Sequence, residues 1–158
     1  MPEIRIAALD LDGTLLSRKN TVTPATRQAI ADAAARGVVV LPATGRALAN
    51  LPPLVTQLPG VRYAITSNGA AVYHLPDRLC IHESAMEPAL VCPIIEELQK
   101  KSIHMDAFIN GDGFSQRSCE GKIDCLDMPT SIKRYIHRTR TFTDDLAAYI
   151  RVLSLIHI

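Results

Sequence analysis

Apolar residues along this chain fall into short runs set apart by polar punctuation, and the period within each run predicts its element. Ile4-Arg5-Ile6-Ala7-Ala8-Leu9 is apolar except at Arg5 and stops at Asp10, the length and branching expected of a buried strand. A helix over Ala25 to Arg36 is predicted by Thr23 as its cap, Pro24 at its first position, the stripe Ile30, Ala33 and Ala34, and Gly37 as its end. Val38-Val39-Val40-Leu41 follows as a second buried parallel strand, which completes a strand-helix-strand unit. Leu48, Leu51, Leu54, Val55 and Leu58 keep near-helical spacing, but Pro52 and Pro53 divide them into two short pieces. Arg62 to Thr66 reads as a third strand running into Ser67-Asn68-Gly69-Ala70, and Ala71 to His74 as a hairpin return ending in the Pro76-Asp77 turn.

Beyond residue 82 the texture changes. Leu90, Val91, Ile94, Ile95 and Leu98 predict a helix over Pro88 to Lys101, with Pro93 kinking it or delaying its start. Ile103 to Ile109 and Phe114 to Gln116 flank Asn110-Gly111-Asp112-Gly113, a hairpin signal. The expected organisation is an α/β layer over residues 1–81 and a smaller α+β unit over 82–152.

Composition narrows the function. With 47% hydrophobic residues, 21% charged residues and a net charge of +1, the chain has the material of a globular domain and no electrostatic bias toward nucleic acid or an anionic membrane. No run approaches the roughly 18 apolar residues of a membrane span, and the start lacks a secretion signal, so a cytoplasmic protein is expected. Cys80, Cys92, Cys119 and Cys125 form no CxxC pair and the five histidines are scattered, which points to reduced thiols rather than disulfides or zinc.

Candidate chemistry lies in Asp10-Leu11-Asp12-Gly13-Thr14-Leu15-Leu16, at the carboxyl end of the first strand, the edge where open α/β sheets bind ligands. Two aspartates two apart present their carboxylates to one side, and such a like-charged pair calls for a cation. A Mg2+ ion between the pair and a phosphate answers that need. Asp10 can then attack phosphorus while Asp12 serves as acid and base. Pro42-Ala43-Thr44-Gly45-Arg46 adds a hydroxyl and a backbone N–H at the second strand's end, suited to phosphate oxygens. The plain alternatives are a solvated Asp12-Gly13 turn and a simple cap at Thr44.

Three ordered segments, Ala8 to Leu16, Ala43-Thr44-Gly45-Arg46 and Ser67-Asn68-Gly69-Ala70, resemble the haloacid dehalogenase superfamily, specifically its Cof-type sugar-phosphate phosphatases. The resemblance implies a Rossmannoid parallel-sheet core, here its N-terminal half only, with part of an inserted α+β cap. It implies a phosphatase of small phosphorylated metabolites that works through an aspartyl-phosphate, with Asp10 as nucleophile and Mg2+ ligand and Asp12 as acid/base whose backbone carbonyl also binds the Mg2+. It further implies phosphate binding by Thr44 and Gly45, and places Arg46 and Asn68 at the substrate or the cap interface. Arg46 as a plain surface residue and Asn68-Gly69 as a mere turn stand as alternatives. Oligomeric state is left open.

The same resemblance calls for a later lysine and a Gly-Asp loop with a following aspartate. The one Gly-Asp pair, Gly111-Asp112, sits in the hairpin signal and reads as a turn. Residues 153–158, Leu-Ser-Leu-Ile-His-Ile, are similar to a translated transposon-end adapter and are expected to be a non-native tail. On that expectation the gene is cut inside the cap and this chain is an inactive fragment of a competent parent. Rival readings are a phosphosugar mutase of the same superfamily, a non-catalytic fragment, and a nucleic-acid binder built on the basic run Lys133 to Arg140.

Overall fold

A computed structural model describes residues 4–17, 19–101 and 103–154. The chain divides into two compact units, Met1–Ala85 and Met86–Ile158.

The first unit is a five-stranded sheet with helices. Its strands, β1 (Ile6–Asp10), β2 (Val39–Ala43), β3 (Tyr63–Thr66), β4 (Ala71–His74) and β5 (Leu79–Glu83), lie side by side in chain order. β1, β2 and β3 run parallel, and β4 and β5 return antiparallel. Helix α1 (Pro24–Ala35) joins β1 to β2. The Thr23 side chain accepts from the Thr26 N–H, Pro24 opens the first turn, and Gly37 leaves the helix at φ +84°, a left-handed exit that glycine makes without a Cβ penalty. The proline pair does divide the next segment, into a 3-10 turn at Leu48–Asn50 and the short helix α2 (Pro53–Thr56).

One expectation is corrected and one element is added. β1 is an edge strand, and Ile6 is 64% exposed rather than buried; an apolar run reports a preference for burial, not whether a neighbour covers it. The segment after the Pro76-Asp77 turn is a further strand, β5, exposed along its whole length, so its pattern carries little burial signal. The core of this unit lies around Leu11, Leu16, Ile30, Val55, Ala64 and Tyr73.

In the second unit, α3 (Pro88–Lys100) continues through Pro93, which costs it one ladder hydrogen bond. β6 (Asp106–Ile109) and β7 (Asp112–Gln116) form the expected hairpin. Asn110 at φ 54° and Gly111 at φ 85° make its two-residue turn, the mirror-image type that matches strand twist. A 3-10 stretch (Arg117–Cys125) and α4 (Thr130–Thr139) lead to β8 (Arg140–Thr143), which lies parallel to β7, and α5 (Leu146–Ser154) follows. Cys92, Ile95, Phe114, Leu146 and Ile150 form this unit's core, with Leu153 packed against it. The rest of the suspected tail, 155–158, lies outside the described residues. The basic run falls on α4 and β8, where Lys133 donates to the Asp124 carbonyl and Arg140 pairs with Asp106. Among the described residues no helix is long and apolar enough to cross a membrane.

Candidate active site

Strand register brings the motifs together. Asp10 lies opposite Ala43 on β2, and Ala43 opposite Ile65 on β3, so the loops that follow all three strands leave one edge of the sheet. The Thr44 N–H donates to the Ile65 carbonyl at 3.0 Å.

The first loop is held by its leucines. Leu11 is fully buried, with Leu15 and Leu16 close behind, and burying a leucine stabilises by roughly 1.5–3 kcal/mol. Leu11 turns inward just past the strand's end, and Asp10 and Asp12 on either side of it are both exposed. Gly13 turns the chain at φ +85°. The Leu15 N–H then donates to the Asp10 carbonyl at 3.0 Å and the Leu16 N–H to the Leu11 carbonyl at 2.8 Å, closing the loop back onto the strand.

Each aspartate has a distinct partner. The Thr14 hydroxyl donates to Oδ2 of Asp10 at 2.7 Å. Arg46 donates from Nε to Oδ2 of Asp12 at 3.0 Å and from Nη2 to Oδ1 at 2.6 Å, a two-pronged ion pair, while its Nη1 donates to the Asn50 carbonyl at 3.2 Å. The backbone of Arg46 is fixed as well: its N–H donates to Oγ1 of Thr44 at 3.2 Å, and its carbonyl accepts from the Ser67 N–H at 2.9 Å.

The third loop closes over the second. The Asn68 N–H donates to the Thr44 carbonyl at 3.2 Å, and Oδ1 of Asn68 lies 2.7 Å from where a Cβ on Gly45 would stand. Ser67, Asn68 and Gly69 all hold positive φ, 51°, 57° and 95°. Asparagine and glycine tolerate that region; at Ser67 it costs on the order of 1 kcal/mol.

Asp10, Asp12, Thr44, Gly45, Arg46 and Asn68 thus fall in one unit and, Asp10 excepted, are linked by direct contacts. Asp10 joins them through the β1–β2 register. The sequence reading missed two partners: Thr14, whose hydroxyl four residues on was a readable signal, and the Asn50 carbonyl, which no side-chain motif reveals. Gly111-Asp112 lies in the β6–β7 hairpin of the other unit, as expected. Among the described residues no group of three or more His, Cys, Asp or Glu is placed to hold a metal ion. The donors at this edge are the Asp10 carboxylate and, with both carboxylate oxygens of Asp12 held by Arg46, the main-chain oxygen of Asp12, a set that suits a hard divalent cation that keeps waters and takes one or two carboxylates.

Comparison with known proteins agrees with this architecture. A family model described as haloacid dehalogenase-like hydrolase matches residues 7–153. An HMP-PP phosphatase from Serratia proteamaculans is 37% identical over 103 residues, 65% of this chain and 36% of that protein. The pyridoxal phosphate phosphatase YbhA of Escherichia coli is 33% identical over 100 residues, 63% of this chain and 37% of that protein. A solved haloacid dehalogenase-like hydrolase from B. subtilis superposes with a TM-score of 0.71 at 19% identity, over 92% of this chain and 56% of that one. The chain therefore spans just over a third of the length of these curated relatives and just over half of the solved structure.

Proposed function

This chain belongs to the haloacid dehalogenase-like hydrolase family, and on that footing we propose that it carries the reacting groups of a Mg2+-dependent phosphatase of small phosphorylated metabolites, of the sugar-phosphate class. The observation that carries this reading is the convergence of Asp10, Asp12 and Thr44 at one sheet edge. Relatives named as phosphatases of HMP-PP and of pyridoxal phosphate support the coarser class, small phosphorylated metabolites.

In this reading Oδ2 of Asp10 is held by Thr14, which leaves Oδ1 to attack phosphorus. A bond forms from Oδ1 to phosphorus as the bond to the leaving oxygen breaks, and Asp12 gives that oxygen a proton. Asp12 then takes a proton from the water that hydrolyses the aspartyl-phosphate, which restores Asp10. Thr44 is buried and accepts from the Arg46 N–H, and its own hydroxyl hydrogen serves a phosphate oxygen. The Asp10 carboxylate and the Asp12 backbone carbonyl would hold Mg2+, whose charge would offset the repulsion between an anionic nucleophile and an anionic substrate.

We assign the first unit to the catalytic core, the second to a cap and the final residues to a non-native tail. With two aspartates as the metal donors of the site, the 158 residues alone should turn over poorly. Four free cysteines suit a reducing, cytoplasmic setting. The test is phosphate release by the protein expressed from its complete gene. Asp10→Asn should abolish it, and Thr44→Ala should raise the substrate concentration needed. Release that survives loss of Asp10 would overturn the mechanism.

A further inference from the structure

We propose that Arg46 is a positioning residue for Asp12, setting the direction of the acid/base carboxylate, and is not a substrate-binding cation. The inference rests on the phosphatase reading for its chemistry and on the observed contacts for its geometry.

Three observations carry it. The guanidinium commits Nε and Nη2 to the two oxygens of Asp12 and Nη1 to the Asn50 carbonyl, so each of its three nitrogens already donates to a protein acceptor. The Arg46 side chain is 21% exposed and that of Asp12 is 52% exposed, which puts the cation behind the carboxylate and the carboxylate toward solvent. A residue built to meet an incoming phosphate would have those exposures reversed. Finally, the main chain of Arg46 is fixed on both sides, to Oγ1 of Thr44 and to the Ser67 N–H. One residue thereby ties the loops after β1, β2 and β3 together.

Asp12 needs such a holder. It lies past the end of β1, beside Gly13 at φ +85°, where the strand no longer fixes its side chain. A planar fork gripping both oxygens sets the carboxylate plane as well as its position, which a single-point contact cannot do. Misplacement of a proton-transfer group by about 1 Å is enough to cost a rate factor of roughly 100.

The test separates positioning from substrate binding. In the protein from its complete gene, Arg46→Ala should lower kcat by roughly 10- to 100-fold with KM nearly unchanged. Arg46→Lys should recover only part of the loss, since an ammonium lacks the fork. A rise in KM with kcat preserved would overturn the proposal and return Arg46 to the substrate. A second readout needs no activity. The Arg46 Nε–H signal in nitrogen-15 NMR should move in Asp12→Asn and stay in place when inorganic phosphate is added; a signal indifferent to Asp12, or one shifted by phosphate, would also overturn it. If Asp10→Asn leaves phosphate release intact, the phosphatase reading fails while the NMR result still decides the role of Arg46.

Discussion

The side-chain oxygen Oδ1 of Asn68 stands 2.7 Å from where a Cβ on Gly45 would be, so the loop after β3 is seated directly on the loop after β2. Gly45→Ala must displace the Asn68 amide. That atom ends a short side chain and can move, so the stability loss should stay near 1 kcal/mol, at the lower end for an overpacked site. Catalysis should suffer more than folding. In an Asn68→Ala background the same glycine substitution should cost less, and a double-mutant cycle on thermal unfolding reads that coupling directly.

Thr14 anchors Oδ2 of Asp10. Thr14→Ala should lower kcat by about 10-fold by freeing the nucleophile to rotate, whereas Thr14→Ser, which keeps the hydroxyl, should retain most of the rate. Equal losses in both variants would mean that the methyl group matters and the hydrogen bond does not.

At the other end of the sheet, the Leu79 N–H and the His74 imidazole hold the Asp77 carboxyl below the usual carboxylate range. A depressed folded-state value contributes stability that is present above the unfolded value of about 3.9 and is lost as pH falls through the folded one. Asp77→Asn should therefore lower Tm slightly at pH 7, and the gap from the parent should close below about pH 4. A gap that is constant across pH would assign the effect to the turn backbone rather than to the charge.

Much of this was legible because short-range chemistry decided it. Thr23, Pro24 and Gly37 mark α1, Pro52 and Pro53 split the segment before β3, and Asn110-Gly111 turns the hairpin. Each of those signals acts within a few residues. The exposure of Ile6 was not legible, because covering a strand depends on which neighbour lies beside it. β5 escaped notice because a strand exposed on both faces does not need an alternating pattern. The motifs named six site residues, but the pairing of Arg46 with Asp12 spans 34 positions. It emerges only once the β1–β2 register places their loops side by side.

The proposed mechanism requires that Asp10 become phosphorylated. The protein from its complete gene should be incubated with Mg2+ and acetyl phosphate, quenched in acid and mapped by peptide mass spectrometry. The account predicts one added phosphoryl group on the peptide that contains Asp10, and none there in Asp10→Asn. Phosphate released from the donor at an undiminished rate by Asp10→Asn, or a phosphoryl group found on another residue, would contradict it.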